Sequence, residues 1–435
     1  MKKSSLTTVF LVVLIDLLGF GIVLPLLPFY AKQFEAGAIA IGLLYSIYSF
    51  AQLIFSPIWG SLSDRIGRRP IMLLSTFGNV IAYIIFGLAG SLTVLFLSRL
   101  VAGIMGGNIS TAQAYVADVT TPEERSKGMG MIGAAFGIGF VVGPALATAL
   151  IHPAFANSVR AIGFPHLASL ISANKYEFPG FFAALMSFCS FLLVIFKLPE
   201  TVDKTKAKPV QKDAMRIQRN SIFTKKFWNS LMDESQQGKK SIFIWLLVCV
   251  FMLSFGQSSI YSAFPLFASK VLNMSAEQVG IQFFYIGLIA VFIQGGLIRH
   301  LAKKYDEEKI FLTGNVLMVI GLGLLSLAVS KPLLMVFLGI MASGVSLNVP
   351  VMNSILSKRA RKEDVGRVLG TSQSISGFGR VVGPAWGGAL YALAHYLPFV
   401  GTAVIISVII YAGIKLVKDK KETTMEEAAK AGITA

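Results

Sequence analysis

For its 435 residues, the chain has few acidic residues, cysteines and histidines. It contains 22 Asp and Glu against 39 Lys and Arg, which gives a formal net charge of +17. Its two cysteines, Cys189 and Cys249, both lie within long apolar runs, so we expect both to be small buried side chains. The four histidines show no spacing typical of metal ligands or of a catalytic pair. We therefore expect neither a cofactor nor a bound metal.

Nucleotide-binding motifs are also lacking. The sequence contains no GxxxxGK[ST] pattern, which disfavours an ATP-driven pump. Gly128-Met-Gly-Met-Ile-Gly133 matches GxGxxG, but no strand precedes it and it leads into an apolar run. Since dinucleotide binding needs that strand, the match is a false positive.

The most abundant feature is long apolar runs. Only 14% of the residues are charged and 54% are hydrophobic, with a mean hydropathy of +0.70, whereas soluble domains have roughly 25% charged residues. Runs of about 20 residues are long enough to cross a bilayer. We therefore predict an all-α membrane protein with spans at 6–30, 39–62, 70–90, 92–117, 128–150, 178–198, 242–269, 278–298, 308–330, 332–356, 366–393 and 396–417.

The positive charge is unevenly distributed between the predicted loops. With these spans, the outward segments hold only a few basic residues, namely Lys32, Arg160, Lys175, Lys270 and Lys331. Such asymmetry follows the positive-inside rule and predicts that both termini are cytoplasmic. We therefore attribute the charge to orientation and to attraction by anionic lipid, and we expect no nucleic-acid partner.

Three segments of the first half recur in order in the second half. The aligned pairs are 60–69 with 295–304, 78–80 with 314–316, and 137–145 with 377–385. An even number of helices per half makes the repeats parallel. The repeat therefore predicts two six-helix bundles related by a pseudo-twofold axis along the membrane normal, with the substrate site between them.

The predicted organisation is an N-terminal bundle (1–198), a basic cytoplasmic linker (199–240), a C-terminal bundle (241–417) and a cytoplasmic tail (418–435). Apolar residues alternate with basic ones around Phe223 and Trp228, which suits either a helix on the membrane face or a disordered linker. Residues 151–177 form a long outward loop that either caps the exit of the cavity or is a tolerated insertion.

Asp16 lies near the middle of the first span. A carboxylate within a membrane costs roughly 2.5–3.5 kcal/mol on insertion scales, so such residues are functional candidates. It could bind and release a proton during a transport cycle. The alternative is a structural carboxylate that hydroxyls or an arginine satisfy.

Two arginines lie deep within predicted spans. Arg99 falls in the fourth span and Arg380 in the eleventh. Because an arginine stays charged, each needs a carboxylate, carbonyls, water or an anionic ligand. Arg380 stands where the first repeat has Phe140, so it either binds substrate or has a structural role.

Small residues recur at every fourth position in the fifth and eleventh spans, where Pro144 and Pro384 also interrupt the helical hydrogen bonding. Such faces allow close helix approach and serve either gating or packing. The candidate gating residues are Gly139, Gly143, Pro144, Gly379, Gly383 and Pro384.

Hydroxyl, amide and aromatic side chains are expected on the helices that line a central cavity. This mixture suits an amphipathic organic molecule, whereas a bare metal ion would need a row of membrane-deep acids. The candidate substrate-binding residues are Tyr45, Gln52, Asn108, Gln113, Gln257, Tyr261, Gln282, Gln373 and Arg380.

A charged loop, Gly60-Ser-Leu-Ser-Asp-Arg-Ile-Gly-Arg-Arg-Pro70, separates two apolar runs. It resembles the loop 2–3 signature of the major facilitator superfamily. With Asp16-Leu-Leu-Gly, Pro25-Leu-Leu-Pro28, Arg99-Leu-Val-Ala-Gly103, Ala117-Asp-Val-Thr120 and Gly139–Pro144, the chain is similar to the drug:proton antiporter group and its tetracycline-exporter-like branch.

The resemblance implies roles for several of these residues. Arg99 would take part in proton coupling together with Asp16, and Gly139, Gly143 and Pro144 would form the antiporter motif of the fifth helix. A conformational latch would comprise Gly60, Asp64, Arg65, Gly67, Arg68, Arg69 and Asp118. Tetracycline pumps have an aspartate at the place of Ala82, so the absence of that residue argues against tetracycline as the substrate.

These observations predict a transporter and not an enzyme. We expect proton-coupled efflux of an amphipathic small molecule by a monomer in contact with membrane lipids, in a bacterial cytoplasmic membrane. The alternatives are a lipid or metabolite carrier of the same superfamily, or a receptor or scaffold that does not transport.

Overall fold

The computed structural model describes residues 2–202, 240–360 and 365–430, and every regular element in these ranges is helical. A 3-10 turn, Gly106–Asn108, connects the fourth and fifth helices. The helices of the first half are α1 (Lys2–Lys32), α2 (Ala38–Ile66), α3 (Arg68–Gly87), α4 (Leu92–Met105), α5 (Ile109–Val119), α6 (Pro122–Ile151), α7 (Pro153–Ala161), α8 (Pro165–Ala173) and α9 (Glu177–Lys197).

The second half is also helical wherever it is described. A π-helical turn, Ile293–Leu297, follows α11, and a 3-10 turn, Leu325–Leu327, follows α13. The helices are α10 (Lys240–Val271), α11 (Ala276–Phe292), α12 (Ile298–Lys304), α13 (Glu307–Leu324), α14 (Lys331–Arg359), α15 (Val365–Leu393), α16 (Leu397–Ile406) and α17 (Val408–Lys430).

Eleven stretches of the described residues are long and apolar enough to cross a bilayer. α15 is not among them although it has 29 residues, because polar residues such as Thr371, Ser372 and Gln373 make it less apolar. Each of the twelve predicted spans falls on one of the eleven stretches or on α15. The prediction of an all-α, multi-spanning membrane protein is therefore confirmed.

Local sequence signals explain where several helices begin. Gly67 separates α2 from α3 with φ of +112°, a backbone conformation that favours glycine. Thr121 and His152 are N-cap residues whose side chains accept hydrogen bonds from Glu124 N (3.4 Å) and Ala154 N (3.2 Å). Prolines follow both caps in the first helical turn, where no N–H is needed.

The described residues group into two compact units by their contacts. The first comprises 2–202, 261–288 and 384–392. At its core α1 contributes Val9, Val12 and Val13, which pack against residues such as Tyr115 of α5 and Ala135 of α6. This packing places the middle of α1, and with it Asp16, inside the helical assembly.

The second unit comprises 240–260, 289–360, 365–383 and 393–430. Within it, α13 and α14 approach closely at glycines. A Cβ atom added to Gly344 would lie only 2.6 Å from the carbonyl oxygen of Gly314, so only small residues permit this contact. The predicted division at residues 198, 240 and 417 stays a prediction.

The two cysteines differ in their exposure. Cys249 is buried as expected, but the expectation was wrong for Cys189, which is exposed. α9 packs through Ala183, Ser187 and Ser190 and its neighbours on that face, and Cys189 lies off that face. The amphipathic pattern around Phe223 and Trp228 lies outside the described residues.

Candidate functional site

Asp16 contacts two asparagine side chains from neighbouring helices. Its Oδ2 accepts a hydrogen bond from Asn108 Nδ2 at 2.6 Å, and its Oδ1 accepts one from Asn79 Nδ2 at 3.3 Å. Both asparagines are buried, whereas Asp16 is half-buried. Since amide N–H groups donate and an ionised carboxylate only accepts, this arrangement satisfies the charged form of Asp16.

The sequence did not identify Asn79 as a site residue. A signal was present, because Gly78-Asn-Val80 is one of the repeated segments. The corresponding Asn315 is fully buried on α13 and donates to the carbonyl oxygen of Ile409 at 2.9 Å. Asn108, which was predicted to bind substrate, contacts Asp16, and its role in substrate binding stays a prediction.

Arg99 is buried on α4 among aromatic rings. Its guanidinium carbon lies 4.8 Å from the centre of the Phe86 ring and 5.9 Å from that of Tyr83. Its Nε donates to Ser98 Oγ at 3.3 Å, while the buried Nη2 atom has no hydrogen-bond partner among the described residues. An arginine so placed can bind an anionic or strongly polar group.

A small cavity adjoins this arginine, with a largely aromatic and aliphatic wall. Tyr45 at its edge donates to the carbonyl oxygen of Leu24 at 2.5 Å, and its ring lies 6.3 Å from that of Tyr261. The cavity is lined by Phe20, Val23, Leu24, Leu27, Leu44, Tyr45, Tyr48 and Arg99. Such a wall is suited to apolar and aromatic groups.

The aromatic wall extends towards Asp16. Phe20 lies one helical turn after Asp16, and its ring is 5.0 Å from that of Tyr48 and 5.9 Å from that of Phe140. The predicted binding residue Gln52 donates to the carbonyl oxygen of Gly106 at 3.0 Å. Gln52 therefore joins α2 to the 3-10 turn that contains Asn108.

The remaining predicted binding residues differ in their surroundings. In the first unit Gln282 is buried and its Oε1 has no hydrogen-bond partner among the described residues, whereas Gln113 is exposed. In the second unit Gln257 is half-buried and Gln373 is exposed. Arg380 there donates from Nη1 to Ser376 Oγ at 2.9 Å.

Three of the predicted latch residues, Asp64, Arg68 and Asp118, form a charged network. Arg68 is buried, forms an ion pair with Asp64, and donates from Nε to Asp118 Oδ2 at 3.0 Å. Its Nη1 also donates to Ser63 Oγ at 2.7 Å. Arg69 donates to the carbonyl oxygen of Ile195 at 2.7 Å, while Arg65 is exposed.

Glu200 completes this network and was missed from the sequence. Its carboxylate accepts hydrogen bonds from the backbone N–H groups of Arg68 (2.9 Å) and Arg69 (3.2 Å) at the start of α3. An anion at a helix N-terminus is stabilised by the unpaired N–H groups and the helix dipole. The only signal was an acidic residue two positions after the predicted span 178–198.

The predicted gating glycines lie at close helix contacts. A Cβ added to Gly139 would come 2.6 Å from Leu17 Cβ of α1, and one added to Gly143 would come 2.6 Å from Gly21 Cα. In the second unit, a Cβ added to Gly379 would come 2.9 Å from the carbonyl oxygen of Phe251. These contacts fit the packing interpretation, and gating stays a prediction.

Within the first unit, helices of the two sequence halves also touch. α6 meets α11, where a Cβ added to Gly287 would lie 2.8 Å from Val141 Cγ2. α2 meets α15, where Ser46 Oγ accepts a hydrogen bond from Ala385 N at 3.1 Å. We call these two contacts the α6–α11 and α2–α15 seams.

A further contact between the halves lies beside the first seam. Lys175, in the loop that follows α8, forms an ion pair with Glu277 of α11 at 2.6 Å. The side chain of Lys175 is 40% exposed and that of Glu277 is 13% exposed. The loop that joins α8 to α9 is therefore tied to a helix of the second half.

Comparison with known proteins identifies the family of this chain. Residues 9–306 and 246–434 match the model of the Major Facilitator Superfamily. The class B tetracycline resistance protein of Escherichia coli is 27% identical over 399 residues, which cover 91% of this chain and 90% of that protein. Multidrug resistance protein 2 of Bacillus subtilis is 27% identical over 434 residues, which cover 97% and 98%.

Comparison with solved structures leads to the same family as comparison of sequences. The crystal structure of the human organic anion transporter MFSD10 (TETRAN) is similar with a TM-score of 0.67 and 26% identity, and the match covers 95% of this chain and 99% of that one. The resemblance that loop 60–70 and its companion motifs indicated is confirmed, together with the fold class. The chain belongs to the Major Facilitator Superfamily of multi-spanning membrane transporters.

Proposed function

We propose that this protein is a proton-coupled exporter of an amphipathic small organic molecule. The observation that carries the proposal is Asp16, a carboxylate in a membrane-spanning helix whose two oxygens accept hydrogen bonds from Asn79 and Asn108. The similarity to a tetracycline and a multidrug resistance protein supports export.

Proton binding at Asp16 would change its contacts with the neighbouring helices. The charged carboxylate accepts from amides of α3 and of the turn before α5. A protonated carboxyl group has fewer acceptor sites and gains a donor, so these contacts weaken or rearrange. The protonation state of Asp16 on α1 would thereby be linked to the packing of α3 and α5. It would also be linked to the aromatic wall that begins at Phe20.

The chemistry of the wall supports a substrate class. Rings of Phe20, Tyr45 and Tyr48 favour an apolar or aromatic body, while the buried Arg99 favours an anionic or strongly polar group. The similarity to an organic anion transporter supports such a group. Alternating access would then require the α6–α11 and α2–α15 seams to separate when the site opens to the outside.

The cellular setting is part of the same proposal. The distribution of Lys and Arg supports an orientation with both termini in the cytoplasm. The bacterial relatives support a location in the cytoplasmic membrane. The partners would be a small-molecule substrate, protons and membrane lipids, and the protein would act as a monomer.

The test compares Asp16→Asn with wild type in proteoliposomes. We expect the variant to fold and to lose transport driven by a pH gradient, since an amide cannot exchange a proton. Substrate-dependent proton flux and substrate uptake are both measured. The matched control is Asp306→Asn, whose carboxylate lies on the surface in an ion pair with Lys309 and should leave both fluxes unchanged.

Unchanged pH dependence in Asp16→Asn would refute the role of Asp16 in proton coupling. The same assay distinguishes the alternatives. A lipid or metabolite carrier, which a lateral lid formed by residues 151–177 would favour, would transport a lipid or metabolite and no drug-like compound. A receptor or scaffold would give no substrate-dependent flux at all.

A further inference from the structure

The segment between α6 and α9 forms a helical hairpin. α7 and α8 each have nine residues and are joined by Ile162, Gly163 and Phe164. Gly163 has φ of +100°, which lets the chain reverse direction tightly. Ala156, Ala168 and Ile171 are buried, and the ring of Phe155 lies 5.9 Å from that of Phe178 at the start of α9.

Four large apolar side chains, at the turn of this hairpin and on α8, are exposed. Ile162 is 74% exposed, Phe164 60%, Leu167 45% and Leu170 60%. Leu167 and Leu170 are three residues apart and thus share one face of α8, next to the turn. We call these four residues the hairpin patch. Large contiguous apolar surfaces usually mark a contact with protein or membrane.

The charge of the hairpin indicates which of these contacts it makes. Residues 152–174 contain Arg160, His152 and His166 but no Asp or Glu. A lid facing water would expose charges of both signs, whereas a segment with apolar and basic residues only is complementary to a lipid surface with phosphate groups.

The position of the hairpin agrees with this contact. α6 ends at Ile151 and α9 begins at Glu177, and both belong to membrane-spanning stretches. Five such stretches precede the hairpin, so it lies on the membrane side opposite to the N-terminus. A nine-residue helix is only about 14 Å long, which keeps both helices within reach of the headgroups.

We propose that the hairpin lies in the headgroup region of this leaflet, with the hairpin patch inserted among the acyl chains and Arg160 at the lipid phosphates. The occupant of the patch is the phospholipid bilayer itself. By binding the membrane surface, the hairpin then fixes the position of the outward ends of α6 and α9. Because lipid covers the hairpin patch, the hairpin does not need a polar surface there.

The test measures the environment of spin labels in proteoliposomes. Leu167→Cys and Asn157→Cys are each introduced into a Cys189→Ser, Cys249→Ser background and labelled; Asn157 is exposed on α7, outside the patch. Relaxation by oxygen, which concentrates in lipid, is compared with relaxation by a water-soluble nickel chelate. We expect oxygen to be severalfold more effective at 167 and the nickel chelate to be more effective at 157.

A comparison of two lipid compositions tests whether the charge of Arg160 contributes to membrane binding. Replacing part of the phosphatidylcholine by phosphatidylglycerol should raise the ratio of oxygen to nickel accessibility at 167, and Arg160→Gln should remove that increase. Equal nickel access at both positions would overturn the proposal. Shielding of 167 from both reagents would also overturn it, because protein, as a lid or a second copy, would then cover the patch.

Discussion

Arg380 is the residue of the second unit that most directly tests substrate charge. Arg380→Ala should weaken binding of anionic compounds about ten- to a hundredfold and change little for cationic ones, since a buried charge-assisted contact contributes about 1.5–3 kcal/mol. Binding is measured with matched anionic and cationic compounds. Arg380→Lys keeps the charge and should keep most of the affinity.

A different pattern would give Arg380 another role. The guanidinium donates to Ser376 Oγ, which lies 2.6 Å from Ser254 Oγ on α10. If both classes of compound lose affinity equally in Arg380→Ala, the arginine stabilises this contact between α15 and α10. Substrate charge would then be selected elsewhere, with Arg99 as the next candidate.

The sequence showed which individual residues are energetically unfavourable in a membrane, but it did not show which residues they contact. A carboxylate and two arginines in apolar runs are conspicuous because each is expensive there. The sequence could not show that Asn79 and Asn108 meet Asp16, because those residues are separated from it by 63 and 92 positions and the contact depends on how three helices pack.

Two glycines of α6, Gly143 and Gly137, test how closely α1 and α6 pack. Gly143→Ala should lower stability by about 1–3 kcal/mol, because its Cβ would meet the backbone of α1 at Gly21. Gly137→Ala lies on the same helix with no atom within 4 Å of the added Cβ. It should be neutral or stabilising by up to about 1 kcal/mol.

The readout for this pair is the apparent melting temperature of purified protein in detergent. Gly143→Ala should melt several degrees below wild type and Gly137→Ala at or above it. Equal melting temperatures for the two variants would mean that α1 and α6 are not closely packed in solution. The gating interpretation of Gly143 would then gain support over the packing one.

Elements that cross the membrane were predicted well, because a span must form its backbone hydrogen bonds within one helix and must remain apolar for about 20 residues. α7 and α8 lack both constraints, so residues 151–177 were expected only as a loop. The stripe of small residues indicated that α6 packs closely on something. It could not identify Leu17 and Gly21 as the partners.

At the scale of the whole molecule, the repeat in the sequence indicated two halves but not the contacts that join them. The α6–α11 and α2–α15 seams include glycines and small side chains such as Gly287 and Ser46. The stripes of small residues in the sequence do not show which helix each one meets. The ion pair of Lys175 with Glu277 was equally hidden, because a surface loop provides one partner and a span provides the other.

That ion pair allows a prediction about the transport cycle. If outward opening separates α11 from α6 and from the loop after α8, it must break the contact between Lys175 and Glu277. Glu277→Gln should then raise the ratio of outward-open to outward-closed molecules about two- to fivefold, since a partly exposed pair contributes about 0.5–1 kcal/mol. Distances between spin labels on the loops that follow α1 and α15 measure this ratio.

Three further variants make the result specific to the pair. Lys175→Gln should give a similar shift, and the charge exchange Lys175→Glu with Glu277→Lys should return the ratio towards that of wild type. Asp306→Asn removes an exposed ion pair within one segment and should leave the distances unchanged. If the exchange variant stays as open as the single variants, the pair does not hold the outward side closed.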